Sequence, residues 1–334
     1  MSLSTQQQAL ARSRLYRLLA RLLARGVDRA SSSQLEQLGW LPARGVPLEQ
    51  LAAEHYATFG LGVFPYAGVF LDASASAGAC ADRVRSDYAR AGFEPRLDEL
   101  AADHLGVQLA FLSFVTGAQA DALAEGRPSI AAALDPLLAE FLDSCVLSYL
   151  PALVSAISIS HSEFWAAIAS ETLAITAEHR LALPSPITPV ALLDVGDPLA
   201  DPHTGLRQIA EHLLTPAASG VFVSRSDIAA WARQQQLPRG FGSRLLMLDN
   251  LLRSAVEYGQ LPSLLAALDE ALARRDAALA QHAAAYELAL AIAPWRAALA
   301  RTRALLGHLA TRALPIPDAP PWTSKPSTTT PPAP

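Results

Sequence analysis

The sequence predicts an all-α protein, and three observations support this fold class. Apolar residues recur at steps of three and four along most of the chain, which is the spacing of one helix face. Sustained strand alternation does not occur, and the β-like stretch Gly220–Val223 stands alone. Hydrophobic residues make up 51% of the chain and charged residues 17%, so large helix faces must be buried in the fold or offered to a partner.

In the first half of the chain, glycine, proline and serine separate the helical segments. The first helix carries leucines on one face and arginines on the other, and it ends at Gly26. The segment Gly60–Ser76 combines glycine, proline and small residues, which predicts a loop. A long amphipathic helix is expected after Pro95. The other predicted helices are Pro47–Tyr56 and Cys80–Ala91, with two or three more over Ala131–Tyr149 and Pro151–Glu178.

Five prolines between Leu183 and His203 break any helix and predict a boundary. We therefore divide the chain into a helical unit over 1–182, a proline-rich linker over 183–203 and a second helical unit over 204–314. The composition of 315–334 predicts a disordered tail, because it cannot bury a core. The second unit is predicted to begin with the helix Gly205–Leu214, which is followed by a helix that Ser224 caps at its N-terminus. The helix Ser243–Tyr258 comes next, and a long Ala/Leu-rich helix or pair of helices extends up to Ala313.

The charge balance disfavours nucleic acid as a partner. The net charge is −5 and the pI is near 5.9, so the chain lacks the long-range attraction that non-specific DNA binding needs. Ser224–Leu252 superficially resembles a helix-turn-helix, but its second helix reads S-R-L-L-M-L-D-N-L-L, which is too apolar to face a DNA groove. A packing helix is the preferred interpretation, and a helical DNA-binding regulator is one alternative.

No catalytic or metal-binding motif is recognisable. No two of the eight histidines lie three or four residues apart, no serine lies in a G-x-S-x-G elbow, and Gly240-Phe-Gly242 is a lone G-x-G. Two cysteines without a C-x-x-C are typical of a reducing compartment. We expect neither enzyme activity nor a cofactor or metal. A helical enzyme that uses Asp103-His104 as an acid–base or metal pair is the second alternative.

The sequence also predicts a cytoplasmic location. The N-terminus has no basic n-region, and arginines interrupt the first leucine-rich segment, so a secretory signal is not expected. The best candidate for a membrane span, Ser144–Ser162, contains Pro151, His161 and several serines, which favours a buried core helix. We expect no integral membrane segment.

Two short signatures carry the functional hypothesis. The first, E-H-Y-A-T-F-G…P-Y-A-G-V-F, runs from Glu54 to Phe70, and the second, E-P…A-A-D-H-L…L-A-F-L, runs from Glu94 to Leu112. They place aromatic residues near a turn and an acid–imidazole pair on the following helix, which favours a docking surface for a polypeptide. Asp103 is either a surface carboxylate beside a half-buried imidazole, or a carboxylate that receives a basic ligand through charge-assisted hydrogen bonds.

The aromatic residues of the first signature have different expected roles. Tyr56 and Phe59 are expected to close a core. Tyr66 follows Pro65 in a glycine-rich connection, where its ring can take a hydrophobic ligand side chain while its hydroxyl stays in water.

With these residues identified, the first half of the chain resembles the TorD/DmsD/NarJ family of redox-enzyme maturation chaperones. The family's acid, Tyr and Phe are matched by Glu54, Tyr56 and Phe59, and its P-[YW]-x-S-V-Y-like run by Pro65–Phe70. Its P-D-H-[LI] helix is similar to Ala102–Leu105, and its third stretch to Phe141–Pro151. The chain departs from the family at Ala102 for Pro, Gly68 for Ser, Cys145 for His and Tyr149 for Trp.

The resemblance implies a multi-helix bundle of the TorD/DmsD type with an additional helical C-terminal half. It also implies a cytoplasmic chaperone that binds the twin-arginine signal peptide or the apo form of a molybdopterin-containing oxidoreductase subunit, and assists its cofactor insertion and assembly before export. An apolar surface with an acidic anchor suits a peptide that bears two arginines and a hydrophobic run. The client-binding residues expected from the resemblance are Tyr56, Phe59, Pro65, Tyr66, Asp103, His104 and Gln108.

Overall fold

The computed structural model describes residues 3–41, 46–72, 78–95, 100–157, 162–192 and 196–312. Throughout these ranges the regular structure is helical, and the one β feature is an isolated antiparallel bridge between Tyr66 and His104. The predicted all-α fold class is confirmed. The predicted tail, 315–334, lies outside the described residues.

The first half contains ten α-helices within the described residues, and two π-helical segments extend two of them. The π segments are Tyr56–Gly62 and Leu142–Val146. The α-helices are α1 (Thr5–Arg25), α2 (Arg29–Leu38), α3 (Leu48–His55), α4 (Ala67–Leu71), α5 (Ala79–Arg90), α6 (Leu105–Ala124), α7 (Pro128–Ala132), α8 (Asp135–Phe141), α9 (Leu150–Ile157) and α10 (Glu163–Leu181).

After a 3₁₀ turn at Pro198–Ala200, the second half is also helical. Its helices are α11 (Leu206–Leu214), α12 (Pro216–Ser219), α13 (Arg225–Gln234), α14 (Arg244–Glu257), α15 (Leu261–Ala285) and α16 (Ala289–Arg312). Gly220–Val223 is an irregular connection between α12 and α13.

Three boundaries differ from the sequence predictions. The loop predicted from Gly60 is still helical up to Gly62, because the π turn continues through both glycines. The helix predicted after Pro95 begins only at Leu105, since the backbone of His104 is extended and its side chain caps the helix. The helical stretch predicted over Ala131–Tyr149 is divided into α7, α8 and a π segment.

Helices α1 and α6 pack in close contact through small residues. The hydroxyls of Ser13 and Ser113 each donate to the other residue's carbonyl oxygen at 2.8 Å. A Cβ at Gly106 would lie 2.9 Å from the Ala20 carbonyl oxygen and 3.0 Å from the Cβ of Ala24. Only glycine at position 106 therefore allows this separation of the two helices.

A buried ion pair fixes the start of the proline-rich segment. Arg180 at the end of α10 donates to both carboxylate oxygens of Asp143, at 2.6 and 3.0 Å, and both side chains are buried. The guanidinium also donates to the carbonyl oxygens of Ser185 and Pro186, and Thr188 N donates to Asp143. All charged groups in this cluster thus have hydrogen-bond partners, which a buried ion pair requires.

Side chains from both halves of the chain contribute to one hydrophobic core. Phe70 of α4 stacks on Phe222 with ring centroids 5.5 Å apart and meets the edge of Trp295 at 6.4 Å. The Trp295 indole donates to the Ser148 carbonyl oxygen at 2.8 Å. The division at 183–203 stays a prediction, and the residues on its two sides share these buried contacts.

By length and composition, α6 is the one described helix that could cross a membrane, and the bent pair Pro128–Val146 and Leu150–Ile157 adds a second only if it is counted as one span. The 18-residue window in α6 is 56% buried, and this helix packs along α1. The core helix of a folded protein has the same length and composition.

Replacing Gly220 by Ala should destabilise the protein strongly. Gly220 has φ +77°, and a Cβ there would lie 2.5 Å from Leu299 N and 2.6 Å from the Trp295 carbonyl oxygen. We expect a loss of about 2–5 kcal/mol in the free energy of unfolding, measured by denaturant titration. The control is Gly259→Ala, at φ +67° with no atom within 4 Å, which should cost only about 1–2 kcal/mol. Equal losses in both variants would contradict the close approach of α12 to α16.

His179 should make the stability of the protein depend on pH. Burial, with Arg12 and Arg180 nearby, lowers the pKa of His179 to about 3, and its Nδ1 lies 2.9 Å from the Tyr16 hydroxyl. The unfolded chain, with a His pKa near 6.5, takes up a proton that the folded chain excludes, so stability is full above pH 6.5 and falls below it. By pH 5 the expected loss from this group is about 2 kcal/mol.

The measurement compares unfolding free energies at pH 7 and pH 5 for His179→Gln and for the exposed-site control His308→Gln. The His179 variant should lose less stability on acidification than the wild type, whereas the control should keep the wild-type difference. A His179 variant with the wild-type pH dependence would refute this assignment.

Candidate functional site

The isolated β bridge joins the two sequence signatures. Ala67 N donates to the Asp103 carbonyl oxygen at 3.0 Å, and Leu105 N donates to the Pro65 carbonyl oxygen at 2.8 Å. These bonds place the N-termini of α4 and α6 side by side. The proline–tyrosine run and the acid–imidazole pair therefore form one structural unit, although 37 residues separate them along the chain.

Asp103 holds the start of α4. Its Oδ2 accepts from Gly68 N at 2.9 Å, and its residue is only 6% exposed. Of the two interpretations of Asp103, the surface carboxylate is wrong, because the residue is buried and accepts from the backbone of α4. The predicted position on a helix is also wrong, since Asp103 lies in the turn before α6. A carboxylate at a helix N-terminus is stabilised by the free N–H groups there.

A second carboxylate, Asp72, converges on the same glycine. The Asp72 Oδ2 and the Asp103 Oδ2 would lie 2.9 and 3.1 Å from a Cβ at Gly68. Asp72 is half-buried and accepts from the backbone N–H groups of Gly78 and Cys80. Neither carboxylate has an ion-pair partner among the residues that the structure describes. The two acids thus form a pair, hereafter the Asp72–Asp103 pair, that has no salt bridge within the described residues.

His104 is the N-cap of α6, and it is neutral. Its Nδ1 accepts from Gly106 N at 3.0 Å, and its ring meets the edge of the Tyr66 ring with centroids 4.8 Å apart. Burial, and secondarily His55, lowers the pKa of His104 to about 4. Asp103 and His104 each bond to a different backbone N–H group. The acid–base pair that an enzyme would need is therefore not formed by these two side chains.

Gln108 supports this region from inside the core. It is fully buried, and its Oε1 accepts from the Tyr149 hydroxyl at 2.8 Å. Its Nε2 is buried without a hydrogen-bond partner among the described residues. Such a group costs free energy, because it loses water without gaining a protein acceptor. In this conformation the Gln108 side chain is not accessible to a ligand at the surface.

The π segment Tyr56–Gly62 presents side chains in two directions. Tyr56 is 63% exposed and Leu61 is 54% exposed, whereas Phe59 is buried with its ring edge-on to Trp165 at 5.5 Å. The Tyr56 ring lies over Gly60, where a Cβ would be only 2.7 Å from its Cδ2. The expectation that Tyr56 closes a core was therefore wrong, and that for Phe59 is confirmed.

A small polar cleft of about 130 Å³ lies beside the π segment. Glu54 and Thr58 line it from the first half, and Ser224 and Asp227 from the second. Ser162 Oγ donates to Glu54 Oε2 at 2.7 Å. Sequence analysis did not identify Asp227, because a residue 173 positions from Glu54 shares no local pattern with it.

The seven residues expected at the site thus differ in their exposure to solvent. Tyr56 is exposed and Tyr66 is half-buried, so these two can touch a ligand directly. The buried members are Phe59, Pro65, Asp103, His104 and Gln108. Sequence analysis missed Asp72, although its position two residues after the end of the first signature could have indicated a role at the site.

Comparison with known proteins gives one result. Residues 20–155 match the family described as nitrate reductase delta subunit. Neither the curated proteins nor the solved structures give a match to the chain. The matched range contains both signatures, the β bridge and the Asp72–Asp103 pair, and it ends before α10. Over residues 20–155 the chain is therefore similar to the nitrate reductase delta subunit family, and this similarity agrees with the family resemblance of its motifs.

Proposed function

We propose that this protein is a cytoplasmic maturation chaperone for a molybdopterin-containing oxidoreductase. It binds the twin-arginine signal peptide of the apo subunit, the body of that subunit, or both, and assists cofactor insertion and assembly before export. The family match supports the general chaperone role. The chain itself acts as a binding protein, without catalytic chemistry.

The Asp72–Asp103 pair carries the proposal. Two carboxylates converge on Gly68, and the described residues supply them with backbone N–H donors but with no salt bridge. A guanidinium offers several N–H donors in a planar fork, which matches carboxylate oxygens better than an ammonium does. Asp72 is accessible enough for direct contact, and the nearby charge of Asp103 adds to the attraction.

The exposed aromatic residues would hold the apolar part of the peptide. Tyr66 lies next to the carboxylates through the backbone bridge, and its ring is braced by His104. Tyr56 and Leu61 extend an apolar surface on the π segment. Phe59, Pro65 and Gln108 act from the core, where they fix the backbone that presents these side chains.

The DNA-binding alternative has little support from the packing of Ser224–Leu252. Helix α14 buries Met247, Leu248, Leu251 and Leu252 in the core, and Ile228 and Trp231 of α13 are also buried. These helices use their apolar faces for packing, as expected for the preferred interpretation of this segment.

Co-purification tests the chaperone role directly. The full-length tagged chain, expressed in its native cell, should retain an oxidoreductase subunit that lacks its molybdopterin, identified by mass spectrometry and metal analysis. Loss of the chaperone should lower the cofactor content of that enzyme. Capture of only the mature, cofactor-loaded enzyme would contradict a role before cofactor insertion.

Asp72→Asn should weaken binding of a twin-arginine peptide without unfolding the protein. The substitution keeps size and removes the charge that meets the guanidinium, so the expected loss is about 1–3 kcal/mol of binding free energy, measured by calorimetry. Asp103→Asn should also weaken binding, and in addition lower the melting temperature, because Asp103 holds the start of α4. The exposed-site control Asp82→Asn should bind like the wild type.

A twin-arginine peptide that binds both site variants as tightly as the wild type would remove the Asp72–Asp103 pair from the contact. A wild-type protein that binds no such peptide, yet retains the apo subunit, would assign recognition to the body of the client instead.

A further inference from the structure

Helix α1 carries an unusual concentration of positive charge. Its 21 residues contain five arginines and no acidic residue, in a chain whose net charge is −5. Arg12 contacts Glu178, and Arg21 is paired with Asp28. Within the described residues, Arg14, Arg17 and Arg25 have no ion-pair partner. Like charges four residues apart on a helix repel each other, so this arrangement of arginines lowers the stability of α1.

Three of these arginines form the rim of a large groove between α1 and α6. Arg17, Arg21 and Arg25 succeed one another at intervals of four residues and therefore lie along one side of α1. The groove has a volume of about 1030 Å³. We call it the arginine groove.

The floor and opposite wall of the arginine groove are mostly apolar. Ala20 of α1 and Ala110 of α6 form part of the floor, where the two helices pack closely. Phe93 and Phe114 form a wall with their rings 5.4 Å apart, and Phe114 is 45% exposed. Glu94 is the one acidic residue of the lining. An apolar floor beside a cationic rim matches a ligand with one apolar and one anionic face.

The dimensions of the groove indicate a polypeptide ligand. Arg17 and Arg25 are eight residues apart, which corresponds to about 12 Å along the helix axis, or roughly two turns of a second helix beside it. A volume of about 1030 Å³ exceeds most metabolite sites, which measure roughly 300–1,000 Å³. The concave shape, with a phenylalanine wall opposite the arginines, fits a rod-like segment better than a flat surface.

We propose that the arginine groove binds an acidic amphipathic helix of a partner protein. The apolar stripe of that helix packs on Phe93, Phe114 and the alanine floor, and acidic side chains flanking the stripe pair with Arg17 and Arg25. This is helix-in-groove recognition, with charge setting the orientation. The site is separate from the Asp72–Asp103 pair, has the opposite charge preference, and does not depend on recognition of a twin-arginine peptide.

The test uses a synthetic probe and the full-length protein. The probe is a capped, fluorescent peptide of about 18 residues, with a Leu/Ala stripe flanked by glutamates, long enough to form a helix when bound. Its partner probe has every Glu replaced by Gln. Fluorescence anisotropy should show tighter binding of the Glu peptide than of the Gln peptide, and this preference should shrink as salt rises.

Two variants and one matched control locate the contact. The double variant Arg17→Gln/Arg25→Gln should bind the Glu peptide roughly three- to tenfold more weakly, the range for two partly exposed ion pairs. Phe114→Ser should weaken both peptides, because it removes the apolar wall. Arg14→Gln changes an exposed arginine of the same helix outside the groove, and it should bind both peptides like the wild type.

The remaining outcomes would overturn the proposal. Equal affinity for the two peptides would mean that the arginines take no part. An equal loss in Arg14→Gln and the double variant would indicate general attraction to a basic helix. Binding to vesicles of anionic phospholipid that depends on Arg17 and Arg25, without binding of the Glu peptide, would assign the groove to a membrane surface. None of these results affects the twin-arginine peptide measurements with Asp72→Asn.

Discussion

The short distance between α1 and α6 is the constraint on which both proposed binding surfaces depend. Gly106 leaves no space for a side chain against Ala20, and Ser13 and Ser113 exchange hydrogen bonds further along the same seam. The start of α6 carries His104 and, just before it, Asp103. The middle of α6 carries Phe114 opposite the arginines of α1. A change in this one separation would move the acidic site and the basic groove together.

The two halves of the chain are connected by contacts that stabilise the same region. Phe70 belongs to α4, whose first turn is held by Asp103, and its ring packs on Phe222 and Trp295 from the second half. Arg180 and Asp143 tie the first proline-rich residues to the bundle through a fully hydrogen-bonded ion pair. The second half of the chain thus supports α4 by direct contact. The second half therefore has a structural role at the candidate site that the family motifs define.

Sequence periodicity was sufficient to predict the fold class and most of the helices, because amphipathic spacing indicates which face of a helix is buried. It placed Asp103 on a helix, since an extended N-cap residue leaves the downstream periodicity of α6 unchanged. It also gave no indication of the π turns, because apolar spacing alone does not distinguish i→i+4 from i→i+5 bonding. Asp72 and the arginine groove depend on distances between segments, and a single sequence carries no information on those distances.

The π turn at Tyr56–Gly62 has a consequence for how relatives of this chain are aligned. On an α-helix, residues five apart point about 140° away from each other, whereas an i→i+5 turn brings them close to the same side. Tyr56 and Leu61 are both exposed for this reason. An i→i+5 turn holds one residue more than an α-helical turn, so loss of one residue here would restore i→i+4 bonding while the flanking residues stay on the same side. An alignment of homologues can therefore carry a one-residue gap between the glutamate of the first signature and its proline, without a change in the side on which the flanking residues lie.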